Sequence, residues 1–167
     1  MTIDFGEHGG RPIEPEHGSP LRVLVVEDAP TILMLLNIQL KAIEGVDLVS
    51  CETREEGLAE IEKNQATPFG LIVTDLGLKM SVDNAEVDRE GGYTVAKSAK
   101  AASSATRVVM ITGRYNQLLQ DGVTHEEVVA QMRSRGIDAV TGKPYTGDWL
   151  KEQVRIAREQ KNPQQNA

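Results

Sequence analysis

The chain has a single cysteine, Cys51, so no intrachain disulfide framework is possible, and Cys51 is expected to be a small buried apolar residue. No apolar run approaches the roughly 18–20 residues that a membrane span needs. The first residues, with Asp4, Glu7, Arg11 and several Gly and Pro, lack the apolar core of a signal peptide. Cytoplasm is the expected compartment, by absence of any other address. Positive charge is also in deficit: the formal net charge is −7. That balance argues against a general attraction to nucleic acid or to anionic membrane, both of which are polyanionic. His8, His17 and His125 lack the spacing of metal ligands and receive no role.

What remains is a soluble globular composition, 40% hydrophobic and 26% charged. Its 167 residues suffice for one domain with a sizeable core and are too few for two ordinary ones. Residues 1–20, rich in Gly, Pro, Glu and His, read as a flexible N-terminal tail; 21–160 as the folded domain; 161–167 as a polar C-terminal tail.

Along the domain, short apolar runs alternate with helical patterns. Strands are expected at Leu21–Val26, Val46–Cys51, Leu71–Thr74, Arg107–Thr112 and Ile137–Val140. Between them, Pro30 can open a helix whose apolar spacing runs from Ile32 to Ile43. Thr53 with Glu56, and Thr124 with Glu127, have capping-box spacing, and Gly136 fits a helix C′ position. Tyr93–Ala102 and Trp149 to about Glu159 complete the helices. The strands are nearly continuous apolar runs, as when helices cover both faces of a parallel sheet. The expected fold class is therefore α/β, a doubly wound five-stranded parallel sheet, whose functional site lies at the carboxyl ends of the strands.

Reactive groups gather at those ends. The first strand ends in Glu27-Asp28, the third in Asp75, the fourth in Thr112, and the fifth leads into Lys143-Pro144. Three neighbouring carboxylates repel one another, so one must hold a proton or a cation must neutralise them. Oxygen ligands without a His or Cys cluster select a hard ion, with Mg²⁺ the natural choice. Lys143 adds a point charge suited to a phosphoryl oxygen, and Thr112 a hydroxyl donor. A carboxylate nucleophile in that company is equipped to accept a phosphoryl group.

This series, carried by Val25-Val26-Glu27-Asp28, Leu71-Ile72-Val73-Thr74-Asp75, Val108-Val109-Met110-Ile111-Thr112-Gly113 and Gly142-Lys143-Pro144-Tyr145, resembles the receiver domains of two-component response regulators. The resemblance spans about Leu21 to Arg158. It implies a flavodoxin-like fold with strand order 2-1-3-4-5 and phosphorylation at Asp75. Asp28 and Asp75 would be direct Mg²⁺ ligands, Glu27 would act through water, and the Gly77 main-chain carbonyl would complete the set. Thr112, Gly113 and Lys143 would bind the phosphoryl group and act as the switch, and the Lys143-Pro144 bond would be cis. The implied partners are a histidine kinase or a histidine phosphotransfer protein and a downstream protein. Such a domain is not an enzyme beyond its own phosphorylation and dephosphorylation, and with 24 residues after Lys143 a stand-alone form is expected.

The chain departs from the family pattern in four places. Leu78-Lys79 replaces a Met-Pro pair, the loops 76–91 and 113–123 are long, the usual glycine is Gly91 or Gly92, and Val140 stands where an aromatic switch residue is common. Tyr115 or Tyr145 is the candidate substitute. In the first helix, Ile32, Leu35, Leu36, Leu40 and Ile43 are expected to face the sheet, leaving Met34 and Ile38 as a possible kinase-docking face. A degenerate receiver that works without phosphate and an aspartate-based phosphatase are the alternatives. The latter needs a second carboxylate two residues after the nucleophile, where this chain has Gly77.

Overall fold

The structure, a computed structural model, describes residues 19–119 and 122–161. Most of the expected N-terminal tail, with His8 and His17, lies outside the described residues, as does the C-terminal tail beyond Lys161.

Five strands, β1 (Leu21–Val26), β2 (Val46–Cys51), β3 (Leu71–Thr74), β6 (Arg107–Thr112) and β7 (Ala139–Gly142), form one sheet in the order β2-β1-β3-β6-β7. Every pairing within it is parallel. This is the expected doubly wound sheet with order 2-1-3-4-5. Two further strands, β4 (Leu78–Lys79) and β5 (Val87–Asp88), pair antiparallel as a separate small hairpin. The helices are α1 (Pro30–Lys41), α2 (Arg54–Lys63), α3 (Gly91–Ala102), α4 (Tyr115–Leu118), α5 (His125–Ser134) and α6 (Gly147–Lys161).

Because successive strand residues point to opposite faces, the sheet builds two cores. Leu24, Val26, Ile72, Val108 and Met110 pack with Ile61, Val95, Ala99, Val128 and Met132 on one side. Val23, Val25, Val73, Val109 and Ile111 pack with Leu33, Leu36, Leu40, Leu150 and Val154 on the other. Both capping boxes form, Thr53 with Glu56 and Thr124 with Glu127, so α2 and α5 start where the sequence places them. Gly136 has φ +88, the left-handed conformation that ends a helix at low cost.

Three expectations are corrected. The last strand runs from Ala139 to Gly142, two residues later than Ile137–Val140. The Ile137 amide still bonds the Met132 carbonyl, and Asp138 bonds Val108, so the chain enters the ladder only at Ala139, opposite Val109. In α1 the buried residues are Leu33, Leu36 and Leu40, at i, i+3 and i+7, whereas Leu35 is exposed. The buried arc is rotated toward Leu33, which places Leu35 beside Met34 and Ile38. Lys161, assigned to the tail, is the last residue of α6, and its ammonium donates to the Pro20 carbonyl. The long loops, in turn, are partly ordered: the first holds the β4–β5 hairpin and the second the single-turn α4.

Candidate functional site

The carboxyl ends of β1, β3, β6 and β7 converge on one cleft. Asp75 follows β3 directly, with its amide bonded to the Val26 carbonyl at 3.1 Å and its Oδ1 accepting the Leu76 N–H at 2.6 Å. Glu27 continues β1 and is 1% exposed; its Oε1 accepts the Ala29 N–H at 3.0 Å. Lys143 leaves β7, held by its amide to the Thr112 carbonyl at 3.2 Å. Its ammonium reaches Asp75 Oδ2 at 2.6 Å and Glu27 Oε2 at 2.8 Å. Asp28 completes the acidic group, and oxygens of Glu27, Asp28 and Asp75 all lie within 4.8 Å of one another.

Three carboxylates (−3) against one ammonium (+1) leave a deficit of two charges, which one divalent cation would balance. The donors are all hard oxygens, and Gly77 lines the same cleft as Asp75. The residues present therefore fit Mg²⁺. The cleft, about 450 Å³, is also lined by Thr112, Gly113 and Lys143. The Lys143-Pro144 peptide is cis, as expected.

No protein-family model and no curated protein sequence matches the chain. Solved structures do. A CheY-like response regulator receiver domain from Methanospirillum hungatei JF-1 is 26% identical, with a TM-score of 0.63 over 87% of this chain and 99% of that one. The signal receiver domain of a putative LuxO repressor from Vibrio parahaemolyticus is 23% identical, with a TM-score of 0.63 over 85% and 93%. The BeF3-activated DrrB receiver domain is 21% identical, with a TM-score of 0.58 over 84% and 98%. The chain has the response-regulator receiver fold.

Within this fold, burial and pairing oppose each other at the acidic cluster. Burial raises the Glu27 pKa, although Lys143 and the Ala29 amide pull it back. Burial also works against the charged form of Lys143, but hydrogen bonds to Asp75 and Glu27 more than offset it, so its pKa rises. These contacts favour the charged form of Lys143 in the cleft.

The β4–β5 hairpin reaches into the site. The Lys79 N–H donates to Asp28 Oδ2 at 3.1 Å, so an inserted backbone amide orients an acidic side chain. A salt bridge of 2.6 Å from Arg54 to Asp88, with a Glu55 amide bond to the Met80 carbonyl, ties the hairpin to the start of α2. Sequence reasoning missed this contact, which belongs to a backbone group and leaves no residue-type signal. It also missed Arg89, Arg114 and Gln117 on the cleft wall; Arg114, two residues after Thr112, could have been found by proximity.

At the switch, Thr112 is fully buried and its Oγ1 accepts the Arg114 amide at 3.2 Å. Val140 is buried. Of the two candidate aromatics, Tyr115 packs over Gly142, where an added Cβ would stand 3.3 Å from the Tyr115 Cβ. Its hydroxyl bonds Nδ1 of His125, a residue given no role above, with ring centroids 5.9 Å apart and an interplanar angle of 63°. Tyr145 instead buries its hydroxyl without a hydrogen-bond partner among the described residues, and burial together with Glu27 pushes its pKa up to about 12.

Cys51 is buried, and desolvation, helped by Glu56 and Glu60, raises its thiol to about 12, in keeping with an inert apolar role. Met34 and Ile38 are 59% and 60% exposed, and Leu35 joins them. Among the described residues no helix is long and apolar enough to cross a membrane.

Proposed function

We propose that this chain is a phosphoryl-accepting signalling switch of the cytoplasm, with Asp75 as the acceptor and Mg²⁺ as its cofactor. The observation that carries the reading is the Asp75 carboxylate gripped by Lys143 at 2.6 Å inside a group of three carboxylates at the strand ends. The donor is the phosphohistidine of a histidine kinase or a phosphotransfer protein. An Asp75 oxygen attacks phosphorus, the P–N bond to histidine breaks, and its electron pair returns to the imidazole, which takes up a proton. Glu27, Asp28, Asp75 and the Gly77 carbonyl would hold Mg²⁺, which offsets charge on the phosphoryl oxygens. Lys143 remains beside the new acyl phosphate as a second positive contact, and Thr112 offers its hydroxyl from the adjoining strand.

Output is by protein contact rather than by catalysis on other substrates. A larger negative charge on Asp75 draws Lys143 and Thr112 inward, and both belong to segments that continue into α4, α5 and α6. Tyr115, lying against Gly142, is placed to carry that displacement to His125 at the start of α5. The exposed Met34, Leu35 and Ile38 lie on α1, the helix that follows Glu27-Asp28, and form an apolar face suited to a helical histidine-bearing partner. Nucleic acid and membrane are not the partners, given the net charge of −7.

A phosphate-independent interaction module is the second reading. It is favoured by Lys143 already bridging Glu27 and Asp75 and by the Lys79 amide already engaging Asp28. Intact-mass spectrometry after incubation with acetyl phosphate and Mg²⁺ separates the two. A Mg²⁺-dependent gain of one phosphoryl group, lost in Asp75→Asn, is expected. No adduct together with no beryllofluoride binding would overturn the switch in favour of the module.

A further inference from the structure

The cleft that holds Asp75 and Lys143 is also lined by two arginines. Arg89 follows β5 at the end of the inserted hairpin, and Arg114 follows Gly113 at the end of β6; both line the cleft with Asp75, Thr112 and Lys143. The Arg114 guanidinium donates to the Arg89 carbonyl at 3.3 Å, so the two segments are joined at the rim. Neither has a carboxylate partner among the described residues, which is equally true of Arg107, Arg133 and Arg158; what sets these two apart is that both line the cleft of Asp75 and Lys143. The acidic neighbours of Arg89 in sequence are already committed, Asp88 to Arg54 at 2.6 Å and Glu90 to Arg135 at 3.3 Å. In a chain of net charge −7, two uncompensated guanidiniums therefore flank one small pocket.

We propose that Arg89 and Arg114 form a phosphoryl-binding wall facing Lys143, a specificity element for the dianionic phosphoryl group; this rests on the reading of Asp75 as acceptor. The charge balance supports it. A divalent cation with Lys143 neutralises the three carboxylates, but phosphorylation replaces the Asp75 monoanion with a group of charge about −2. The added negative charge has no partner on the acidic side. A guanidinium presents a planar fork of donors that matches phosphoryl oxygens, and it is less strongly hydrated than an ammonium. Of the two, Arg114 is the better fixed: its amide is bonded to Thr112 Oγ1, so any inward movement of Thr112 moves the arginine with it. Arg89 arrives on a hairpin pinned at three points, by Arg54–Asp88, by Glu55 to Met80 and by Lys79 to Asp28. The inserted segment thereby acquires a function: it delivers a cation to the phosphoryl site.

The test is calorimetric titration of beryllofluoride with Mg²⁺ into the full chain, as wild type, Arg89→Gln, Arg114→Gln, both together, and the double lysine variant. The double glutamine variant is expected to bind about tenfold more weakly than wild type, with a shallower dependence on salt, and each single variant to fall between. The double lysine variant is expected to recover most of the affinity, because charge is kept. Thermal unfolding of every variant should match wild type, both side chains lying at the surface. Affinity within twofold of wild type in the double glutamine variant, or no recovery with lysine, overturns the proposal. A wild type that neither binds beryllofluoride nor takes a phosphoryl group would instead sink the acceptor reading itself.

Discussion

Gly92 stands so close to Asp75 that a Cβ on it would lie 2.1 Å from the Asp75 carbonyl oxygen. The Gly92 N–H also donates to the Leu76 carbonyl at 2.9 Å, so the first turn of α3 is laid directly on the backbone of the acceptor. A methyl group at this position must displace main chain, not a flexible side chain. Gly92→Ala is therefore expected to cost about 2 kcal/mol or more, in the range of overpacking defects, and to reduce phosphoryl uptake from acetyl phosphate. Gly113→Ala is the contrast, because nothing lies within 4 Å of its Cβ position; its stability should stay within about 0.5 kcal/mol of wild type. Urea unfolding of both variants checks the pair, and equal effects would refute the close approach at Gly92.

Lys143 is shared between a nearly fully buried Glu27 and the acceptor Asp75. Replacing it with Met strands those carboxylates together, and removing one partner of a buried ion pair costs about 3–5 kcal/mol. A hard divalent cation supplies the missing charge. Lys143→Met should thus unfold at lower temperature than wild type without metal, and Mg²⁺ should raise its melting temperature by more than it raises that of wild type. A smaller Mg²⁺ shift in the variant would mean that Lys143 and the metal do not compensate the same charge.

These two glycine and lysine positions also show what could be read from residue order. Four of the five parallel strands were legible to the residue because each is an apolar-rich run bounded by turn or cap signals, whereas the fifth was displaced by two residues because Ala139–Gly142 is half polar or glycine; the four chemical groups were legible because each lies at or just past the end of a strand. Gly92 was narrowed only to a pair, Gly91 or Gly92, since the clash that selects it is with backbone brought from Asp75, remote in sequence. The β4–β5 hairpin was missed because two strands of two residues each leave no periodicity to detect. Leu35 misled for a related reason: an all-apolar helix such as Ile32–Leu36 does not say which arc is buried until the sheet is in place.

The hairpin anchor gives a pH dependence. The Asp88 carboxylate is held below its ordinary pKa, first by the Glu90 amide on its Oδ1 and further by Arg54. A carboxylate whose folded-state pKa is depressed contributes stability that is present above its unfolded value, about 3.9, and is lost as pH falls through the lower folded-state value. Acidification should therefore release the hairpin from α2 below about pH 4. Amide exchange at Lys79 and Met80, normalised for its intrinsic pH dependence, should accelerate over that window in wild type. In Asp88→Asn it should be fast already at neutral pH and show no acid step. An identical acid step in the variant would assign the titration to another group.

Met34 and Ile38 project from α1 with 59% and 60% of their surface exposed, on the face opposite Leu33, Leu36 and Leu40. Since neither contributes to the core, charged replacements should change stability by less than about 0.5 kcal/mol. They would nonetheless place a desolvation cost at the centre of any apolar interface formed there, of the size associated with a hot-spot residue, about 2 kcal/mol. In Met34→Glu/Ile38→Glu, phosphorylation by acetyl phosphate should proceed at the wild-type rate, because the small donor needs no docking face. Transfer from a phosphorylated histidine protein that phosphorylates the wild type should slow by more than tenfold. Equal slowing with both donors would place the damage in the acceptor pocket, and no slowing with either would remove α1 from the partner interface.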